Sequence, residues 1–199
     1  MFDTYKTIKK NSEGIYKEKG SKFLSFAFPV EHSDEINLIL KEYRKQFYDA
    51  RHICYAYMLG QKRDEWRIND DGEPSGTAGK PILGQINSFE LTNILVVVVR
   101  YFGGILLGTG GLTTAYKESA ANAIQQAQIV EMTVNKKLSL KFDYLLMNDV
   151  MRVIKEMNPQ IIEQKFDNTC AMQLEIRQNE VEKLHSKFEK IMGVIIENE

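Results

Sequence analysis

Three acidic side chains fall within four positions of the run INDDGEPSGTAGKPIL, which extends from Ile68 to Leu83. Asp70, Asp71 and Glu73 could together supply the oxygen ligands that Mg²⁺ and Ca²⁺ prefer, but their spacing does not match the D-x-[DN]-x-[DN]-G calcium loop. The alternative is an ordered turn, because Asp-Gly is a turn dipeptide and small polar side chains cap neighbouring amides. We predict a stiff polar recognition loop and assign it no metal. Its candidate binding residues are the three acids with Ser75, Thr77 and Lys80.

A second run, VVVVRYFGGILLGTGGLTTAYKESA from Val96 to Ala120, has the residue types of an anion site. A valine-rich strand leads through glycines into a helix, and we expect Gly110 and Gly111 to lie immediately before that helix. Amides at a helix start have no partner within the helix and carry partial positive charge, so they can hold a phosphate of a nucleotide or an RNA. The run contains neither a G-K-[ST] P-loop nor a G-x-G-x-x-G fingerprint, and the glycines could serve turns and packing alone. The candidate residues are Arg100, Gly103, Gly104, Gly108, Thr109, Gly110, Gly111, Thr113 and Lys117.

His52 and Cys54 stand two residues apart on a predicted strand and therefore share a face. They could form a nucleophile–base pair or half of a metal site. Ala56 and Met58 continue the same face, which is typical of a core. We therefore favour a buried thiol and a hydrogen-bonded imidazole, and we keep His52 as a binding candidate.

Six elements are predicted for the first part of the chain. Two strands surround a turn near Lys19-Gly20, and a helix follows with Ser33 as its N-cap. HICYAYML and NILVVVVR have the apolar content of buried strands, and LTTAYKESAANAIQQAQ is helical. We expect the two buried strands to be neighbours in one sheet. The loop that leaves each of these strands would then meet the other at one cleft, with acids on one wall and glycine backbone plus Arg100 on the other.

After Val134 the order of predicted elements is β-α-β-β-α-β, which is the ferredoxin-like pattern. The sequence therefore predicts an α+β protein of two domains, residues 1–134 and 135–199. Neither half is strongly basic.

Composition narrows the classes of partner. The 199 residues include 26 basic and 27 acidic side chains, so any anionic partner must be recognised by a local patch. Two cysteines, Cys54 and Cys170, give no disulfide framework. The run ILVVVV is too short to span a bilayer, and the N-terminal residues lack the apolar segment of a secretory signal. We predict a cytoplasmic protein with no cofactor, no membrane association and no DNA specificity.

The motifs resemble those of a known family. NDDGEPSGTAGKPIL followed by VVVVRYFGGILLGTGGL-xx-AYK is similar to the pattern of the IMPACT family, whose bacterial branch is often called the YigZ family. RHICYAY matches the family's His-x-Cys-x-Ala-Tyr strand, and the resemblance covers roughly Gly20 to Ala127. Two positions depart from it. Thr114 stands where a basic residue is common, and Arg51 stands where many members have a small hydroxyl residue.

The resemblance implies a fold and a function. The first domain is expected to resemble a small-subunit ribosomal protein, elongation factor G and GHMP kinases, and to be a β-sheet covered by helices. The second is expected to resemble the last domain of elongation factor G. Eukaryotic members regulate translation and bind the coactivator of a kinase that phosphorylates an initiation factor under starvation. The implied function is a non-catalytic, stress-related regulator that binds the ribosome, RNA or a regulatory protein.

The alternative function is an enzyme acting on a phosphorylated small molecule or nucleotide. In that case Arg100 and the glycine backbone would hold phosphate, and Asp70, Asp71 and Glu73 would hold a divalent ion.

Overall fold

The computed structural model describes residues 3–167 and 169–198, which separate into two compact units. One unit is Tyr5–Met132, and the other holds the described residues from Thr133 onward together with Asp3 and Thr4. The mixed helix and strand content confirms the predicted α+β class. The assignment of 1–134 and 135–199 as separate domains, and the likeness of the second to elongation factor G, stay predictions.

The first unit is built on an antiparallel five-stranded sheet. Its elements, in chain order, are β1 (Thr4–Ile8), β2 (Ser12–Glu18), β3 (Ser21–Pro29), α1 (Ser33–Gln46), β4 (His52–Leu59), β5 (Glu65–Asn69), α2 (Gly79–Ser88), β6 (Ile94–Tyr101), α3 (Gly108–Gln126) and β7 (Ile129–Thr133). The sheet order is β2-β3-β6-β4-β5, and β1 pairs with β7 in a separate two-stranded sheet.

The central strand β6 is buried on both faces. Ile94, Val96 and Val98 pack in the cluster that contains α2 and α3, whereas Val97 and Val99 pack in the cluster beneath α1. Alternate side chains of a strand point to opposite faces, so a strand between two helical layers must be apolar throughout. The valine run has this physical cause, and the predicted adjacency of HICYAYML and NILVVVVR is confirmed because β4 pairs with β6.

The hairpin between β2 and β3 turns at Lys19-Gly20, as predicted. Lys19 has φ +45° and Gly20 has φ +80°. Positive φ at both central residues is the requirement of a two-residue type I′ turn, whose twist matches that of the strands it joins.

Several local predictions are wrong or incomplete. Ser33 is the first helical residue of α1 rather than its cap, and His32 precedes the helix without a side-chain capping bond. The strands β1, β5 and β7 and the helix α2 were not predicted. The loop after β5 is shorter than predicted, since α2 begins at Gly79. Pro81 is compatible with this helix because it lies in the first turn, where the missing N–H costs no intrahelical hydrogen bond.

The second unit has the predicted βαββαβ order. Its elements are β8 (Asn135–Asp143), α4 (Met147–Met157), β9 (Gln160–Lys165), β10 (Thr169–Arg177), α5 (Val181–Phe188) and β11 (Ile195–Asn198). The antiparallel sheet has the order β11-β8-β10-β9, and a single core joins β8 and β10 to both helices. This is the ferredoxin-like arrangement. None of the helices in the described chain combines the length and apolarity needed to cross a bilayer.

Candidate functional site

Both glycine-rich segments begin at the same end of the five-stranded sheet. β5 ends opposite Tyr55 of β4, in the register Tyr55↔Asn69, and Arg100, the penultimate residue of β6, lies opposite His52. Because β5 and β6 both run antiparallel to β4, they finish at the end of the sheet where β4 begins. The acidic loop and the RYFGGILLGTGG segment therefore leave the sheet side by side. The prediction that the acidic loop leaves HICYAYML is wrong, because that strand ends at the opposite end of the sheet and β5 brings the chain back before the loop begins.

Asp70 fixes the start of α2 from outside the helix. Its carboxylate accepts hydrogen bonds from the backbone amides of Gly76 (2.8 Å), Ala78 (3.1 Å) and Gly79 (2.8 Å). A helix N-terminus leaves such amides without partners, and a carboxylate there also interacts favourably with the helix dipole. Asp70 thus organises the loop from within.

Asp71 attaches the loop to the first residues of β4. Its carboxylate accepts from the amide of Ile53 at 2.7 Å and from the guanidinium of Arg44 at 2.9 Å. Its carbonyl oxygen lies 2.8 Å from Nδ1 of His52, and its own amide donates to the side chain of Asn69. The residue has φ +43°, and these bonds hold it in that left-handed conformation.

Glu73 joins the two segments directly. Oε1 accepts from Nη1 of Arg100 at 2.6 Å and from the hydroxyl of Tyr116 at 2.8 Å. Nε2 of His52 lies 3.9 Å from the same oxygen. The side chains of Glu73 and Arg100 are both buried, so the carboxylate serves as an internal counter-ion.

Arg100 is enclosed by two aromatic rings. Its guanidinium carbon lies 5.5 Å from the ring centroid of Phe23 and 5.6 Å from that of Phe102, within the range of cation–π attraction. Its Nε has no hydrogen-bond partner among the described residues. The charge is therefore compensated by Glu73 and covered by Phe102, which belongs to the glycine-rich segment.

Cys54 lies beneath this ion pair. Its thiol donates to the carbonyl of Asp70 at 3.0 Å and to the hydroxyl of Tyr116 at 3.3 Å. Burial, the largest cause, raises the pKa of the Cys54 thiol far above its ordinary value, and burial likewise raises the pKa of the Tyr116 hydroxyl. A protonated, buried thiol is a poor nucleophile. The geometry favours the core interpretation of this face over the nucleophile–base pair.

The helix α3 begins earlier than predicted. It starts at Gly108, which has φ +71°, so Gly110 and Gly111 lie inside its first turns rather than before it. No side chain caps its N-terminus, and the hydroxyl of Thr113 donates to the carbonyl of Thr109. The anion role assigned to this helix start stays a prediction.

The remaining candidates divide by exposure. Thr77 is buried, and its hydroxyl donates to the carbonyl of Pro74 at 2.6 Å. Lys117 lies 3.9 Å from Glu118. The exposed candidates are Ser75, Lys80, Gly103, Gly104, Gly108, Thr109, Gly110, Thr113 and Lys117. The binding role of every candidate stays a prediction.

The three acids do not converge on one point. Asp70 faces the start of α2, Asp71 faces β4, and Glu73 faces Arg100. Within residues 3–167 and 169–198, no group of three or more His, Cys, Asp or Glu side chains is arranged to hold a metal ion. A divalent ion would have to displace existing hydrogen bonds at each carboxylate.

Sequence reasoning missed four members of the network: Tyr116, Arg44, Phe23 and Phe102. Tyr116 was within the recognised AYK motif, which was the available signal. Its hydroxyl bridges Cys54 and Glu73, which are 62 and 43 residues away along the chain. No local pattern encodes such a contact.

Comparison with known proteins assigns the chain to a family. Residues 19–124 match the Impact N-terminal domain. An IMPACT family member of Haemophilus influenzae is 33% identical over 185 residues, which cover 89% of this chain and 88% of that relative. The IMPACT family member YigZ of Escherichia coli is 30% identical over 172 residues, covering 85% and 84%. The chain belongs to the IMPACT family, which confirms the resemblance inferred from the motifs.

A solved structure extends the likeness to the whole chain. A crystal structure described as that of a hypothetical protein covers 100% of this chain and 98% of its own, with a TM-score of 0.76 and 25% sequence identity. The likeness therefore includes both units.

Proposed function

We propose that this protein is a non-catalytic regulator of translation that binds the translation machinery through the solvent-facing surface of its two glycine-rich segments. Membership of the IMPACT family supports this role through the function implied for its eukaryotic members. The observation that carries the proposal is that the three carboxylates of the acidic loop bind groups within the protein. Glu73 neutralises Arg100, while Asp70 and Asp71 hold backbone amides.

The chemistry left at the surface is that of recognition. A hydrolytic or metal-dependent site would direct carboxylates or a reactive thiol toward its substrate. Here the carboxylates fix the loop, and Cys54 is buried and protonated. Loops that are ordered before binding lose little entropy when a partner arrives. The predicted cleft is occupied by the Glu73–Arg100 pair, so the proposed binding surface is the outer side of the two segments.

Co-sedimentation with purified bacterial ribosomes tests the proposal. We expect the protein to pellet with ribosomes at low salt and to be released as salt rises, because a charged interface is screened. Reversing the exposed cations Lys80→Glu and Lys117→Glu should reduce the pelleted fraction. Lys190→Glu, an exposed lysine of the second unit, is the matched control. A wild-type protein that stays in the supernatant at every salt concentration contradicts the proposal.

One observation supports the phosphate-binding part of the enzymatic alternative. The first turn of α3 is exposed and has no side-chain cap, and uncapped helix amides can hold a phosphate. Isothermal titration calorimetry with ATP, with and without Mg²⁺, tests it. Binding that requires Mg²⁺ would favour the enzyme, whereas the absence of heat with either mixture argues against it.

A further inference from the structure

We infer that the β2–β3 hairpin tip and loop 102–107, which lie together at one end of the sheet, form a docking surface for an acidic protein segment that carries apolar side chains. The inference rests on the proposed function and names the chemical class of its partner. The surface, hereafter the tip surface, has an apolar part and a basic part. Its apolar side chains are Phe102, Ile105 and Leu106, and its basic side chains are Lys17, Lys19, Lys22 and Arg51.

The two parts are held together by backbone contact. The amide of Gly103 donates to the hydroxyl of Ser21 at 3.1 Å. A Cβ added at Gly103 would collide with the carbonyl carbon of Gly20 and the amide nitrogen of Ser21. Loop 102–107 therefore lies directly against the hairpin turn. These contacts at Gly103 hold the start of the loop beside the basic residues of the hairpin.

The apolar part projects into solvent. Phe102 is 43% exposed, Ile105 55% and Leu106 83%. Phe102 contributes one ring face to Arg100, whereas Ile105 and Leu106 belong to none of the hydrophobic clusters of the described chain. Adjacent exposed apolar side chains on a surface loop are typical of a site for a partner.

The basic part carries an excess of positive charge. Lys17 and Lys22 are directly opposite each other across the hairpin, a like-charge arrangement that disfavours strand pairing. Within the described part of the chain, none of Lys17, Lys19, Lys22 and Arg51 forms an ion pair. Glu18 and Asp49 adjoin these residues in the sequence, and each accepts a hydrogen bond from a neutral tyrosine hydroxyl, which leaves its negative charge in place. The four cations outnumber these two acids. The excess positive charge selects an acidic partner.

The side-chain types favour protein over RNA. Single-stranded RNA is bound chiefly by stacking bases on aromatic rings or guanidinium planes. Ile105 and Leu106, the most exposed apolar side chains of the surface, offer no planar face. Phe102 gives one of its two ring faces to Arg100, so its other face and the guanidinium of Arg51 are the planar groups that remain. Aliphatic side chains instead fill pockets between the apolar side chains of a protein. An acidic segment with apolar anchors would satisfy both parts of the tip surface.

Photocrosslinking identifies the partner class. A benzophenone amino acid placed at the exposed position Leu106 is irradiated in the presence of purified bacterial 70S ribosomes, and the products are analysed by mass spectrometry. We expect a crosslink to a segment rich in Asp, Glu and apolar residues. A crosslink confined to ribosomal RNA, or to a basic protein segment, overturns the inference. If the protein pellets with ribosomes but gives no crosslink, the inference fails and the proposed function survives.

Matched variants test the two parts separately. Ile105→Ser/Leu106→Ser and Lys17→Glu/Lys22→Glu should each reduce the pelleted fraction at least tenfold, and the charge reversal should also remove most of the salt dependence. Leu145→Ser changes an equally exposed leucine of the second unit, at 88%, and should have no effect. Unchanged pelleting by both double variants overturns the inference. If the wild-type protein itself does not pellet, the proposed function fails as well.

Discussion

At the scale of single residues, the Glu73–Arg100 pair decides what the acidic loop can do. Both side chains are buried, at 2.6 Å from each other. Removing water from two charges is expensive, and their attraction offsets that cost only when both are present. The pair therefore specifies one position of the loop relative to β6, and it withdraws Glu73 from any contact with a ligand.

Glu73→Gln should destabilise the first unit by about 3–5 kcal/mol, because the Arg100 charge stays buried without a counter-ion. The amide preserves the shape of the side chain, so the loss reports charge rather than packing. Urea unfolding at neutral pH measures it. The double variant Glu73→Leu/Arg100→Met should recover much of the loss. A single variant within about 0.5 kcal/mol of the wild type would contradict a buried pair.

The two cysteine thiols should react only slowly with thiol reagents in the folded protein. Burial raises the pKa of Cys54, so it stays protonated at pH 8, and Cys170 is also buried. We expect a chromogenic disulfide reagent to titrate neither thiol rapidly in buffer and both of them in urea. The urea sample is the control for reagent and concentration. Rapid reaction of Cys54 in buffer would revive the nucleophile hypothesis.

At the scale of elements, glycines in one segment have opposite roles. Gly103→Ala should destabilise the first unit by about 1–3 kcal/mol, because the methyl group collides with the backbone of Gly20 and Ser21. Gly110→Ala, in open space within α3, should stabilise it by about 0.5–1 kcal/mol through helix propensity. Thermal unfolding of both variants provides the comparison. Equal effects in the same direction would refute the assigned backbone contact.

The sequence was informative where burial sets a simple period. The valines of β6 and the βαββαβ order after Val134 are as predicted, because each buried strand must be apolar on its covered faces. β5 was missed because Glu65, Trp66 and Arg67 are all exposed, so the strand has no apolar alternation. An edge strand of a sheet permits such a sequence. α2 was missed because Gly79 and Pro81 are helix-disfavouring in general, although both are tolerated in a first turn.

The sequence predicts which residues form the candidate site, but it does not predict which way their side chains point. The two segments do meet, but nothing local reveals that Glu73 faces inward, since Arg100 is 27 residues away. In the sequence, the Asp70 carboxylate looks like an available ligand. In the structure it accepts hydrogen bonds from backbone amides up to nine residues further along the chain. Contacts of this kind depend on the sheet that brings distant segments together.

At the scale of the whole molecule, each unit has its own core. The core beneath α4 and α5 contains only residues from 138 onward, and those of the first unit contain none of them. Trp66 is the single tryptophan of the chain and lies in the first unit. Its fluorescence therefore reports one unit, whereas far-ultraviolet circular dichroism reports both.

Leu174→Ala should remove about 2–5 kcal/mol from the second unit and shift the circular dichroism transition in urea while leaving the Trp66 transition in place. Leu174 is fully buried. The companion variant Ile82→Ala, buried in the first unit, should shift the Trp66 signal. If Leu174→Ala also moves the Trp66 transition, the chain unfolds as one cooperative body.

The turn residue Lys19 places stability and recognition in competition. A lysine at φ +45° is held in a conformation that costs an L-residue about 1 kcal/mol, and asparagine accepts it more readily. A screen for heat-tolerant variants would therefore enrich Lys19→Asn and, in the same step, discard one of the four cations at this end of the sheet. Selection for robustness alone would yield a sturdier molecule that recognises less.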